Sequence, residues 1–308
     1  MMADHHPAEP RPRLLLALPA GALVLVALFG ILFQIELPRA FPSDADYRAV
    51  ARALSTARAP GDVVLLHPWW AERARLFLPA ELPVVGYFGD TADDLIGHPR
   101  VWVLANERFP RMPDADFRAH FLPDRTALAP TQRFGPLTLT PYRNGRARKV
   151  LFSAGDSLEQ AEVSVEVPGA APVPCSHSGS SFSCTGGARA EIAWHEVLYQ
   201  PVRCLFAIPP RGPSRLVLRF PEVPDAPELL LEAGISWEHA WKRERSDVRL
   251  QLSGSAGVLH LRIPAGHEGF VQGTAPQPAA GPLTLTMQTD DPHEREVCIR
   301  LRALGGPP

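Results

Sequence analysis

Two short clusters carry the side chains of this sequence best suited to chemistry. The first is Trp237-Glu238-His239-Ala240-Trp241, which follows the apolar run Leu229-Leu230-Leu231 and precedes a charged stretch from Lys242 to Arg245. The second, Trp194-His195-Glu196, repeats the same aromatic, imidazole and carboxylate types elsewhere. Tryptophan offers a flat apolar face on which a sugar ring can stack, and Glu and His offer polar groups for its hydroxyls. Glycan contact is therefore the chemistry these residues suggest, with plain packing as the alternative. Neighbouring Glu238 and His239 on a strand would point to opposite faces, which argues against a shared metal or an acid/base pair.

A third group needs its elements before it can be placed. Short continuous apolar runs, Val63 to Leu66, Val84 to Val85 and Val101 to Leu104, each end at Pro, Gly or polar residues. Unbroken hydrophobicity is the mark of a strand covered on both faces. A helix over about 44 to 58 precedes them, started by Ser43 with Asp46 three residues on and stopped at Pro60-Gly61. Phe134 to Tyr142 alternates and reads as an edge strand. The segment 43–143 is thus a small α/β, half-Rossmann-like module. Open α/β sheets bind ligands at the carboxyl ends of their strands. That rule gathers His67, Trp69, Trp70, Tyr87, Asn106, Glu107 and Arg108 at one rim, unless Trp69 and Trp70 instead begin a helix and pack on the sheet.

From Asn144-Gly145 onward the pattern has period two: Val163 to Val167, Leu216 to Phe220, Val248 to Leu252, Leu259 to Ile263, Leu283 to Met287, and Val297 to Leu301. About eight short strands with Gly and Pro turns predict a two-sheet, jelly-roll-like β-sandwich over 145–308. The fold class is then α+β multidomain. All four cysteines, Cys175, Cys184, Cys204 and Cys298, lie in this half. Of three connectivities the favoured one pairs Cys175 with Cys184 and Cys204 with Cys298, with four buried thiols as the alternative. No Cys-x-x-Cys pair, His-Glu-x-x-His, Gly-x-Ser-x-Gly or phosphate loop occurs, so no metal, cofactor or catalytic residue is expected.

Two resemblances follow from these residues. Asp46-Tyr47-Arg48-Ala49-Val50-Ala51, Pro60-Gly61-Asp62-Val63-Val64-Leu65-Leu66, Val101-Trp102-Val103-Leu104 and Phe134-Gly135-Pro136-Leu137-Thr138-Leu139 are together similar to the extracytoplasmic C-terminal domain of class C, polyprenyl-phosphate-sugar-dependent membrane glycosyltransferases. The family's catalytic acid lies in loops between early membrane helices that this chain does not have, so the resemblance implies a docking module without the reaction. Residues 145–308, with Gly281-Pro282-Leu283-Thr284-Leu285-Thr286 and Arg295 to Leu301, resemble galactose-binding-like β-sandwiches.

Composition bounds the rest. With 308 residues, 45% hydrophobic and 21% charged, the chain is long enough for two domains. Net charge is -2, and Lys149 and Lys242 are its two lysines, which excludes a polybasic nucleic-acid binder. Leu14 to Ile35 is uncharged and reads as a transmembrane helix, 14–35, with Arg11 and Arg13 holding a 1–13 tail in the cytoplasm. Taken together, the sequence predicts a single-pass bacterial inner-membrane protein whose bulk lies in the periplasm. Its expected role is non-catalytic, binding a glycan or an envelope protein. The alternatives are an accessory subunit of a multi-spanning glycosyltransferase and an exported glycan hydrolase using Glu238 or Glu232 with His239.

Overall fold

The computed structural model describes residues 12–69, 71–87, 95–106, 117–198 and 200–308, without the side chains of 12–18, 20, 37–40 and 200. The chain divides into two compact units, one holding 1–94 and 100–145, the other 95–99 and 146–308.

Helix α1, Pro12–Ala40, covers the stretch expected to cross a membrane. Among the described residues, however, no helix is long and apolar enough to do so. Its described side chains run essentially from 21 to 36, short of the ~20 apolar residues a span requires. The expected transmembrane helix therefore finds no support at this level. What the structure does give is exposure: Leu23, Val24, Leu25 and Val26 are consecutive and all exposed, as are Phe29, Leu32 and Ile35.

Helix α2, Asp44–Ala57, begins at the expected capping box, with the Asp46 amide donating to Ser43 Oγ and the Ser43 amide donating to Asp46 Oδ2. It buries Tyr47, Val50 and Leu54, one residue per turn, as an amphipathic helix must. The sheet beside it holds β1 (Val63–His67), β2 (Val84–Gly86), β3 (Arg100–Asn106), β4 (Arg125–Ala127), β5 (Gln132–Phe134) and β6 (Leu137–Asn144). Strands β2, β1 and β3 are parallel; β6 joins β3 antiparallel and carries β4 and β5 on its other side. The expected edge strand 134–142 is thus corrected: Gly135, at φ 59°, turns the chain so that β5 folds back on β6. Strand β6 is buried along Leu137 to Pro141 because it has neighbours on both sides. At the entry to β1, Asp62 accepts from Arg100 Nε (2.8 Å), Trp102 Nε1 (2.7 Å) and the Ala59 amide (2.9 Å). Burial pushes this carboxyl pKa up, but these hydrogen bonds outweigh it and hold it below the usual range.

The second unit is a β-sandwich, and every one of its strand pairs is antiparallel. One sheet contains β7 (Val150–Ser153), β10 (Ser176–Ser178), β11 (Ser181–Ser183), β12 (Arg189–Val197), β13 (Gln200–Ile208), β15 (Ala226–Ile235), β18 (Phe270–Gln277) and β20 (Val297–Leu304). The other contains β8 (Glu162–Glu166), β9 (Val173–Pro174), β14 (Arg215–Val223), β16 (Val248–Gly254), β17 (Gly257–Ile263) and β19 (Gly281–Thr289). From β14 onward the chain passes repeatedly between the sheets. Eight and six strands replace the expected eight or so in all. The missed strand β12 carries Arg189, Glu191 and His195 on the face away from the core, β13 is apolar on both faces from Cys204 to Ala207, and β18 carries Gly273 and Pro276, so none shows a clear alternating stripe. Leu205, Leu216, Leu218, Leu231, Leu250, Leu285, Met287 and Ile299 form the core between the sheets.

Both cysteine pairs close as favoured. Cys175 bonds Cys184 where the chain leaves β9 of one sheet for β10 of the other. Cys204 bonds Cys298 across β13 and β20, on the face away from the core, with Val197 packed beside them. The second bridge closes a loop of 94 residues, and loops of ~100 residues carry the larger entropic stabilisation, up to about 4–5 kcal/mol. Replacing Cys204 and Cys298 together by Ser is expected to lower unfolding free energy by roughly 3–5 kcal/mol, read from urea denaturation of the full chain. A loss under 1 kcal/mol overturns that role.

Candidate functional site

The two sequence clusters meet at one end of the sandwich because a strand bends. Strand β13 pairs with β20 only over Leu205 to Ala207. Its first half, with the end of β12, arches across the face away from the core until Val197 and Leu198 reach β15 and the start of β18. A Cβ on Gly234 would meet Val197 Cγ1 at 3.1 Å and the Gly269 carbonyl oxygen at 2.7 Å, so only glycine admits this approach. The arch brings His195 onto Phe206, with ring centroids 3.8 Å apart and planes 4° from parallel. His195 Nδ1 then lies 3.3 Å from Ser236 Oγ, at the start of the other cluster. Burial pushes the His195 pKa down, with Glu296, Glu191 and Glu238 pulling the other way. Trp194, on the opposite face of the hairpin, is 67% exposed.

The second cluster is not a strand. Trp237–Ala240 is a single helical turn, α3, started by Ser236, whose carbonyl accepts from the amides of His239 and Ala240. Glu238 and His239 are thus placed by a turn, correcting the premise that they alternate across a sheet. His239 directs Nδ1 towards Glu296 Oε2 at 3.9 Å. Trp237 is half-buried, Ala240 is buried, and Trp241 stands 56% exposed with Lys242 Nζ 5.8 Å from its ring centre.

Residues 239–246 are held from within by Arg295, which sequence reading did not single out as a site residue. Arg295 is 1% exposed, and its guanidinium donates to the carbonyls of Ser246 (2.6 Å), Lys242 (3.1 Å), Glu294 (3.0 Å) and His239 (3.4 Å). Burial lowers its pKa, yet a guanidinium stays charged. Glu294, at φ 57°, accepts from Lys242 and from Arg245 (2.8 Å). Lys242 first and Arg245 second bring its pKa down to about 2. Loops 236–246 and 290–296 are laced together by these bonds. Next to them lies a cleft of about 270 Å³, bordered by Gly186, Ile208, Arg211, Glu294 and Glu296.

The remaining expected site residues fall elsewhere. His67 and Tyr87 do meet at the strand ends, but in a packed aromatic group: His67 stacks on Phe117 at 4.4 Å, and buried Tyr87 meets both edge-on. Trp69 is half-buried, and Trp70, Glu107 and Arg108 lie outside the described residues. Glu232 is 1% exposed and accepts from both Arg300 (2.6 Å) and Arg302. No group of His, Cys, Asp and Glu able to hold a metal occurs among the described residues.

No protein-family model matches the chain. No curated protein matches it either. Solved structures similar to it include a study of promiscuous carbohydrate-binding modules of the β-sandwich superfamily, at 12% identity over 59% of this chain and 71% of that one, TM-score 0.30. Another is the CBM51-2 and INT domains of a Clostridium perfringens protein, at 12% identity, 51% and 40% coverage, TM-score 0.29. A third is the CBM22-1 and GH10 modules of a Clostridium thermocellum endo-1,4-beta-D-xylanase with xylohexaose, at 11% identity, 38% and 25% coverage, TM-score 0.26. The chain thus spans a quarter of the xylanase fragment and two-fifths of the CBM51-2 structure. At such scores the likenesses carry no argument, and the sandwich rests on its own strand pairing. The glycosyltransferase resemblance gains no support from any comparison.

Replacing Arg295 by Lys leaves carbonyls that one ammonium cannot reach, and each buried unpaired group costs about 1–3 kcal/mol. Arg295→Lys is expected to lower unfolding free energy by about 2–4 kcal/mol and to raise quenching of Trp241 fluorescence by iodide; unchanged values of both refute the staple.

Proposed function

We propose that the β-sandwich unit binds a glycan without transforming it, by stacking a sugar ring on Trp241. The observation that carries this is a large aromatic side chain held mostly in water at the end of a braced loop. At 56% exposure the ring is open to a ligand. Tryptophan suits a sugar, whose C–H face is apolar and whose edge is polar. Lys242, over the ring, supplies a donor for an adjacent hydroxyl. Nothing favours the hydrolase alternative: Glu232 is committed to two arginines, and His239 turns Nδ1 to Glu296 rather than to Glu238. Among the described residues, no contact or surface favours the accessory-subunit alternative. In glycan-array binding by the full chain in detergent, Trp241→Ala is expected to weaken every positive glycan about tenfold, in keeping with ~1–2 kcal/mol for an aromatic contact. Binding unaffected by the substitution, or no binding to any glycan, refutes this reading.

For placement, we propose that α1 anchors the chain in the bacterial inner membrane, with the 1–13 tail in the cytoplasm and both units in the periplasm. A helix apolar on all sides suits a bilayer rather than water, and two disulfides suit an oxidising compartment. Alkaline carbonate washing should leave the protein in the membrane pellet. Its release into the supernatant counts against the anchor.

A further inference from the structure

The cleft beside the Trp241 loop has a composition of its own. Ile208, Pro209 and Pro292 give it apolar walls, and Gly186 and Gly187 leave one border without side chains. Both glycines have positive φ, 72° and 77°, and a Cβ on either would meet nothing within 4 Å, so that border is open space held by backbone. At about 270 Å³ the cleft lies just under the roughly 300–1,000 Å³ of pockets for drug-sized ligands, which suits about one ring.

Its charges are unequal in effect. Glu294 is already neutralised by Lys242 and Arg245. Arg211 meets Asp291 only at 3.7 Å and is 77% exposed, so water and salt screen its charge. Glu296 is 29% exposed and faces two imidazoles, His239 with Nδ1 at 3.9 Å and His195, whose pKa its charge raises, while His293 also borders the cleft. The His239 atom facing it is buried and makes no hydrogen bond among the described residues. Among the described residues Glu296 is ion-paired with no lysine or arginine, and its carboxylate is a strong acceptor for hydroxyl protons. Arg211 at the mouth is a donor for ring oxygens.

Resting on the glycan-binding reading above, we propose that this cleft is a subsite for one uncharged sugar ring, with Glu296 accepting from its hydroxyls and Arg211 donating to its oxygens. A uronic acid is rejected there because its carboxylate would face Glu296. The subsite also explains why two loops are laced so tightly: the Lys242–Glu294 pair is at once the base of the Trp241 platform and a wall of the cleft.

The test uses the full chain in detergent and saturation-transfer NMR with glucose, galactose, mannose, xylose and N-acetylglucosamine, against glucuronate and galacturonate. At least one neutral sugar should bind, about tenfold more weakly in Glu296→Gln, the usual scale for a charged hydrogen bond. Uronates should bind only after that substitution. Arg211→Ala, at an exposed position where folding is not at stake, should weaken the neutral sugar in the same direction, and circular dichroism checks the fold of both variants. If oligosaccharides bind and depend on Trp241 while neither variant alters binding, or if uronates bind the unaltered chain as well as neutral sugars, the subsite is overturned and the platform stands. If no saccharide binds at all, the platform reading fails and the subsite with it.

Discussion

Arg295 shows how a single side chain can organise a surface it never reaches. Its guanidinium lies out of water, satisfied by four backbone carbonyls from two loops that are about fifty residues apart in sequence. Loop backbone turned inward carries acceptors that must be paired, and each left unpaired costs free energy. A planar group with five donors settles several at once, which an ammonium cannot do. The positions of Trp241, Glu294 and Glu296 relative to one another follow from that arrangement. The adjoining ion pairs of Glu294 with Lys242 and Arg245 tighten it, though being partly exposed they add less than the buried carbonyl bonds.

The bent β12–β13 hairpin is the second constraint. Because β13 leaves its partner after three residues, the face of the sheet away from the core gains a cover of its own, pinned by Cys204–Cys298 and admitted by Gly234. A hairpin lying flat in the sheet would hold His195 far from Ser236. Folded over, it stacks the imidazole on Phe206 and leaves Trp194 facing water on the other side. The two tryptophan-bearing segments thus share one end of the sandwich while serving different surroundings.

Local physics made much of this readable in the chain. Ser43 and Asp46 announce the start of α2 through reciprocal hydrogen bonds that need only three residues. Val63 to Leu66 announces a strand covered on both faces, and Val163, Leu216, Leu250 and Leu285 announce a two-layer β fold by alternation. The local cysteine pair was legible because its members are nine residues apart, and Cys298 stands in an alternating strand, which left Cys204 as its distant partner. Strands β12 and β13 were not legible, since the outer face of β12 carries Arg189, Glu191 and His195, which look like loop residues, while β13 is apolar on both faces from Cys204 to Ala207 and does not alternate. The alternating segment 134–142 looked like one edge strand, because sequence reports side-chain period but not the number of flanking partners.

Residue types by themselves determined that tryptophans, carboxylates and imidazoles stand in two clusters and that half the chain is a β-sandwich, because periodicity and side-chain chemistry are local properties. Only the tertiary structure decided that Glu238 and His239 sit on a helical turn, that His67 and Tyr87 are packed among phenylalanines, and that Arg211, Glu294 and Glu296 border a cleft. Those outcomes depend on hydrogen bonds and contacts between segments tens of residues apart, and no short-range pattern encodes which distant carbonyl a buried arginine will find.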